Sequence, residues 1–261
     1  MKKIVLFRIS SKGYPKVKVD ALNKYDCLDN LLKIFVGWEL ICVADNCDEA
    51  LLEDLKKRPF EALYETSLGN PGSFWRLYEI ALSLVGADDV LYFVEDDYWH
   101  LPEAPAAIVE GLSHFDYVSV YDHLDKYHLP GRAVNPYAKR QKYSELTEVV
   151  HGNQFIWRTT NSTTMTFALK GKTLREDADI WSMTQHRRGD YDFEIFTSLT
   201  KQALLWRKRY LKFLRTKLQF FTKPRRYMGV CLPGQALHLE LAYITEKDKQ
   251  RFSIPEQKNG T

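Results

Sequence analysis

Asp88-Asp89-Val90-Leu91-Tyr92-Phe93-Val94-Glu95-Asp96-Asp97-Tyr98-Trp99-His100 is the stretch on which the reading of this chain turns. Val90 to Val94 is an unbroken apolar and aromatic run, which reads as a buried strand. Three acids, Glu95, Asp96 and Asp97, follow at its C-terminal end. In an open α/β sheet that edge is where ligands sit. Adjacent carboxylates repel and raise one another's pKa, so a buried strand does not end this way without compensation. A divalent cation would supply it, and hard oxygen ligands suit Mg2+ or Mn2+. The competing reading is a solvated acidic turn after a core strand.

Outward from this stretch, Ile4 to Ile9 reads as a first buried strand, Glu39 to Ala44 as a second and Phe60 to Glu65 as a third. Leu22, Leu28, Leu31, Leu32 and Phe35 have helical spacing, which predicts a helix within Asp20 to Val36. Glu49 to Lys57 reads as a short helix. Gly69-Asn70-Pro71-Gly72-Ser73 reads as a loop, with Ser73 as N-cap of a helix over Phe74 to Leu84. Free N–H groups at such a helix start form an anion site. Strand and helix thus alternate over the first ~100 residues, the signature of a parallel sheet covered on both faces.

The second half is less regular. Pro102 to Leu112 reads as a helix, Tyr117 to Tyr121 as a strand, and Lys126 to Ser144 as a long loop beside the site. Phe155 to Arg158 and Thr163 to Leu169 are expected to pair antiparallel. Phe193 to Leu205 reads as a helix. The expected fold class is α/β, a mostly parallel central sheet flanked by helices, with a small antiparallel element and a basic C-terminal helical segment. Residues 1–245 are expected to form one domain and 246–261 a polar tail.

Composition narrows the class. The chain has 261 residues, 45% of them hydrophobic, enough for a sizeable core. Ten of the 37 Lys and Arg fall within 201–226, which holds no acid, leaving 27 against 34 acidic residues elsewhere. An acidic globule with one basic stretch argues against a duplex-binding face, so no nucleic acid partner is expected. Leu204, Leu211, Leu214, Leu218 and Phe221 recur on one helical face of that stretch, among Lys, Arg and aromatic residues. This fits an interfacial helix on an anionic membrane surface; the alternative is packing on the domain or on a second copy in a homodimer. The four Cys lack zinc-finger or CxxC spacing, which suits reduced thiols. The apolar run after Met1 is short for a signal sequence and no run reaches membrane-spanning length. A soluble or peripheral protein on the cytoplasmic side is expected.

Further candidate residues each have a plainer alternative. Asp45 ends the second strand, where a carboxylate can accept from a ribose hydroxyl or base N–H; on the residues alone the favoured reading is an Asx turn capping Asp48 to Lys57. Asp190 and Asp192 open a helix, which acids favour through the dipole alone, but either could be a general base for an acceptor hydroxyl. His238 lies in an apolar frame after Pro233-Gly234; imidazole can complete an oxygen-rich metal site or simply be structural.

Taken in order, these pieces resemble a GT-A glycosyltransferase, a nucleotide-sugar-dependent enzyme. The features are strand–Asp45, the Gly/Asn loop and helix, strand–Glu95-Asp96-Asp97, an acidic helix start and a late His. Glu-Asp-Asp is similar to the DxD motif of the N-acetylglucosaminyltransferase I group. Val94 to Tyr98, Tyr121-Asp122-His123-Leu124-Asp125-Lys126-Tyr127 and Thr163-Thr164-Met165-Thr166-Phe167-Ala168 together resemble bacterial and large-virus glycosyltransferases of surface glycans such as lipopolysaccharide or capsule. The resemblance spans residues 1–200 and 228–245 by motif order; the basic stretch has no counterpart.

The resemblance implies that Asp97 and His238 hold Mn2+ or Mg2+ at a diphosphate. It implies that Asp96 and Asp45 contact ribose and base, with Glu95 and Asn70 in the same donor site. Asp190 would be the base of an inverting reaction, with Asp192 in reserve, since Gly189 departs from the family's Glu-Asp pattern. Asp122 and His123 would lie near the sugar or acceptor, and Arg187 or Arg188 would steady phosphate. The donor would be a nucleoside-diphosphate sugar, a UDP-sugar first among them, and the acceptor a glycan or lipid-linked hydroxyl. Competing readings are a sugar-nucleotide nucleotidyltransferase and a non-catalytic nucleotide- or carbohydrate-binding module.

Overall fold

The computed structural model describes residues 1–11, 18–19, 21–127, 147–182, 192–201 and 223–255. The first half alternates as expected: β1 (Lys3–Ile9), α1 (Lys24–Ile34), β2 (Glu39–Asp45), α2 (Glu49–Leu55), β3 (Ala62–Thr66), α3 (Gly69–Leu84) and β4 (Val90–Glu95). There follow β5 (Tyr98–His100), α4 (Ala104–His114), β6 (Tyr117–Ser119), β7 (Val149–His151), β8 (Ile156–Thr159) and β9 (Phe167–Lys170). The described chain continues with α5 (Gly171–Glu176), α6 (Ala178–Ser182), α7 (Asp192–Leu199), β10 (Met228–Leu232), β11 (Ala236–His238) and α8 (Glu246–Arg251).

Nine strands form one sheet in the order β3-β2-β1-β4-β9-β6-β10-β8-β7. The first four are mutually parallel, and β9 runs against both β4 and β6. Helices cover both faces, so the central strands are apolar on both sides rather than alternating with polar residues. Val5, Phe7, Tyr92 and Val94 pack on one face with Leu28, Leu31 and Ile108, whereas Ile4, Leu6, Leu91 and Phe93 pack on the other with Phe74, Tyr78 and Trp181. The fold is the mixed α/β, Rossmann-like sheet that was expected.

Several local readings are corrected. The helix expected within Asp20 to Val36 starts only at Lys24, because Asn23 and Asp26 form a capping box there. The helix expected from Phe74 begins at Gly69, so Gly69 to Ser73 is its first turn and Ser73 is not its cap. Pro71 fits a first turn because that N–H has no helical partner to lose. Phe155–Arg158 and Thr163–Leu169 do supply strands, but they do not pair with each other. β8 lies between β7 and β10, and β9 between β4 and β6. The small antiparallel sheet is instead β5 with β11.

The expected polar tail is partly folded. Thr245 and Asp248 form a capping box on α8. Phe252 and Ile254 beyond it are buried with Val19, Cys27, Leu237, Leu239 and Ile244. The burial of two apolar residues just past an all-polar helix holds the C-terminal end against the N-terminal quarter. No helix among the described residues is long and apolar enough to cross a membrane. The loop residues 128–146, the candidates Arg187, Arg188 and Asp190, and residues 202–222 of the basic stretch lie outside the described residues.

Candidate active site

The strand order reverses between β1 and β4: the chain leaves β1 for β2 on one side and returns to β4 on the other. At such a switch point the loops diverge and leave a crevice at the strands' C-terminal ends. Arg8 of β1 is in register with Glu95 of β4 at that edge. A cleft of about 200 Å3 opens there, lined by Arg8, Asp45, Asn70, Glu95, Asp96, Asp97, Asp192 and His238 among others. Thus seven of the expected site residues share one cleft.

Asp97 and His238 are brought together by backbone pairing. β4 turns through Asp96 and Asp97 into β5, which pairs with β11 so that Tyr98 is opposite His238. Leu239 N donates to Asp97 O at 2.9 Å and closes the arrangement. His238 Nε2 then lies 3.1 Å from Asp97 Oδ2. The imidazole stacks on Tyr98 at 4.8 Å and 9°, and the Tyr98 hydroxyl donates to Thr164 Oγ1 at 2.8 Å. Both Asp97 and His238 are over nine-tenths buried, yet Asp97 Oδ1 and His238 Nδ1 have no hydrogen-bond partner. Glu240 Oε2 stands 4.0 Å from that Nδ1.

Two lysines, absent from the sequence reading, complete the acidic turn. Lys18 Nζ is 3.1 Å from Asp97 Oδ2, and Lys24 Nζ is 3.8 Å from Asp96 Oδ2. Ser10 N also donates to Asp96 Oδ2, at 3.2 Å. The adjacent carboxylates are pushed apart. Burial works to raise the Asp97 pKa, but His238 and Lys18 outweigh it and hold the group well below the ordinary range. Burial and the charge of Asp97 raise Asp96. The turn therefore carries one firmly ionised acid and one that ionises less readily.

Arg8 is the buried cation at the floor. Its guanidinium donates to the Asn70 carbonyl and side-chain oxygens and to Glu95 Oε1, and to Ser73 Oγ at 3.3 Å. A charge inside an otherwise apolar strand was the sequence signal for it. Asn70 and Glu95 thus meet Arg8 at the cleft wall.

Asp45 has a role inside the fold. Its oxygens accept from Thr66 Oγ1 at 2.9 Å, Leu68 N at 2.6 Å, Gly69 N at 3.0 Å and Asn46 Nδ2 at 2.8 Å. It reaches across the sheet edge to the start of α3, where it takes the N–H groups of Leu68 and Gly69. Ser73 lies inside α3, so no helix start stands where the anion site was expected. Asp48, not Asp45, caps α2, accepting from Leu51 N at 2.9 Å.

Asp122 and His123 do not line the cleft. Asp122 is paired with Arg158 at 2.7 Å. His123 packs on Tyr121 at 5.3 Å, and Tyr121 in turn on Tyr98 and His238. Asp192, the reserve base, does line the cleft, in the first turn of α7.

The fold and site define an α/β chain with an acidic turn, a facing imidazole and flanking cations at a switch point. No protein family and no curated protein matches the chain by sequence. Among solved structures, S. aureus TarS (1-349) is similar at 15% identity, covering 84% of this chain and 74% of that one, with a TM-score of 0.42. HddC from Yersinia pseudotuberculosis is similar at 10% identity, 96% and 97% coverage and a TM-score of 0.44. A CMP:2-keto-3-deoxy-manno-octonic acid synthetase complexed with CTP is similar at 9% identity, 90% and 92% coverage and a TM-score of 0.44. At these values the functional reading rests on the site's own geometry.

Proposed function

We propose that the chain is a metal-dependent transferase acting on a nucleoside-diphosphate sugar: a glycosyltransferase delivering the sugar to a hydroxyl of a glycan or lipid-linked acceptor. The observation that carries this is the convergence of Asp97 and His238 at the switch point, with Asp97 Oδ1 buried and unpartnered. A buried carboxylate oxygen without a partner is costly, and a carboxylate facing an imidazole is a donor set for Mn2+ or Mg2+. Among the described residues no three His, Cys, Asp or Glu form a metal cluster. One or two protein ligands, with the rest from water and substrate phosphate, is how Mg2+ is commonly held. The residues therefore fit a cation that arrives with a diphosphate.

Asp97 and His238 would hold the ion, which when bound would neutralise charge on the departing diphosphate. Arg8 fixes Glu95 and Asn70 at the cleft wall, and Asp96 and Glu95 face the donor's ribose and sugar. Asp192 removes the acceptor hydroxyl's proton as it attacks. A base on the face opposite the leaving group inverts the anomeric centre. With one His nitrogen on the ion, the other needs a partner to fix the ring, and Glu240 is placed for this.

The direct test is release of nucleoside diphosphate from a panel of UDP-, GDP- and dTDP-sugars with Mn2+, with and without acceptor glycans. A second reading has its own support: Lys18 and Lys24 put two ammonium groups beside the acids, as a triphosphate-using nucleotidyltransferase would need. That enzyme would release pyrophosphate from a nucleoside triphosphate and a sugar phosphate, so the product decides.

Asp192→Asn is expected to keep donor affinity while turnover falls by about 10²–10⁴. Should Asp190→Asn be the inactive variant and Asp192→Asn retain activity, the base is Asp190. Glu240→Gln is expected to weaken Mn2+ affinity by about tenfold or more, read by calorimetry in the presence of UDP. Unchanged affinity would remove Glu240 from the metal's support.

A further inference from the structure

Lys18 is not a surface lysine that happens to meet an acid. Its backbone is bridged antiparallel to Glu240. Val19 N donates to Leu239 O at 3.0 Å, and Leu239 N donates to Asp97 O at 2.9 Å. Val19 itself is buried in the cluster that includes Leu237, Leu239 and Phe252. Residues 18–19 are thus added as a short strap to the same chain segment that carries His238. From this anchor the ammonium reaches the Asp97 oxygen that His238 Nε2 also approaches, each at 3.1 Å. The Lys18 side chain is 35% exposed, so it has solvent to swing into.

A divalent ion held by Asp97 and His238 would lie within a few ångströms of this ammonium. Two cations so close repel strongly, and more so in a partly buried site. A diphosphate reverses the sign, because it brings negative charge to both. We propose that Lys18 is a resident counter-ion that occupies Asp97 in the empty enzyme, disfavours metal alone, and transfers to the diphosphate when metal and nucleotide bind together. Metal and nucleotide binding are then coupled, and the coupling is reciprocal. This deepens the metal-dependent reading of the site and rests on it.

The test is a Mn2+ titration, read by the EPR signal of free Mn2+, with and without UDP as the probe. In the native protein, Mn2+ alone is expected to bind weakly and UDP to tighten it by about tenfold or more. Lys18→Met is expected to bind Mn2+ alone about tenfold tighter, and the enhancement by UDP should shrink by a similar factor. Lys18→Gln, polar and close in length, should behave alike and serves if the Met variant folds poorly. Asp97→Asn separates the two levels of the argument. If it abolishes Mn2+ binding while both Lys18 variants titrate like the native protein, the counter-ion role is wrong and the metal site stands. If it leaves Mn2+ binding intact, the metal site itself is wrong and the proposal falls with it.

Discussion

Asp97→Ala is expected to reduce transfer to background, a loss of at least about 10³-fold in kcat. Three features set the size of the effect. Asp97 is the acid that faces His238, it has the unpartnered buried oxygen, and its pKa is held low, so it is charged throughout the neutral range. On the proposed reading, removing it would leave the cation with a single protein ligand, and it would take from Lys18 the carboxylate it faces at 3.1 Å. Chelation of the native enzyme should give the same loss, reversed by added Mn2+. Asp97→Asn is the control for folding: it keeps the shape and the backbone bond to Leu239 while removing the charge. Turnover assays with thermal melts of each variant check this, and full activity in chelator would sink the metal assignment.

The second large effect is on stability. Arg226 is buried and donates to both oxygens of Asp177, from Nε to Oδ2 and from Nη2 to Oδ1, each at 2.9 Å. It also reaches Glu176 at 2.7 Å and Asp116 at 3.4 Å. Asp177 is 1% exposed and takes a further bond from the Tyr117 hydroxyl, which accepts from Trp181 Nε1. Arg226→Ala would leave Asp177 as an uncompensated buried charge. That costs about 3–5 kcal/mol, whereas an exposed pair would be worth under about 1 kcal/mol. A fall of roughly 10 °C in Tm follows for a chain of this size. Adding Asp177→Asn should recover part of the loss, because the stranded charge is gone. A double variant no more stable than the single one, or a single variant within about 1 kcal/mol of native, would contradict this account.

The strands and the acidic turn were legible because they depend on local pattern. An apolar run of β-formers ending in acids is a strand leading to a turn wherever it sits. What sequence could not supply is which distant segments meet. Asp97 and His238 are 141 residues apart, and their approach depends on β5 pairing with β11. Lys18 looks like any loop lysine until the strap beside Leu239 is seen. Asp45 reads on its own as a local cap of Asp48 to Lys57 before it reads as a ribose contact; its bonds go instead to Leu68 and Gly69 at the start of α3. That same contact moved the start of α3 four residues or so ahead of its predicted Ser73 cap, since a carboxylate from another strand caps it. The antiparallel pairing failed for a related reason. β8 and β9 follow each other in sequence, yet β6 and β10 lie between them. Arg8 is the instructive case, because a lone charge in a buried run asks for buried partners, and Glu95 and Asn70 answer it.

The joining of residues 18–19, β5 and β11 has a consequence for biosynthesis. A growing chain can complete β1 to β4, and the whole Glu95-Asp96-Asp97 turn, long before Ala236 to Leu239 has left the ribosome. Until then the acids have no imidazole opposite them, and the Lys18 strap has no strand to lie against. The imidazole side of the cleft is thus added after the acidic side, by the segment whose Leu237 and Leu239 share a buried cluster with Val19, Cys27, Phe252 and Ile254.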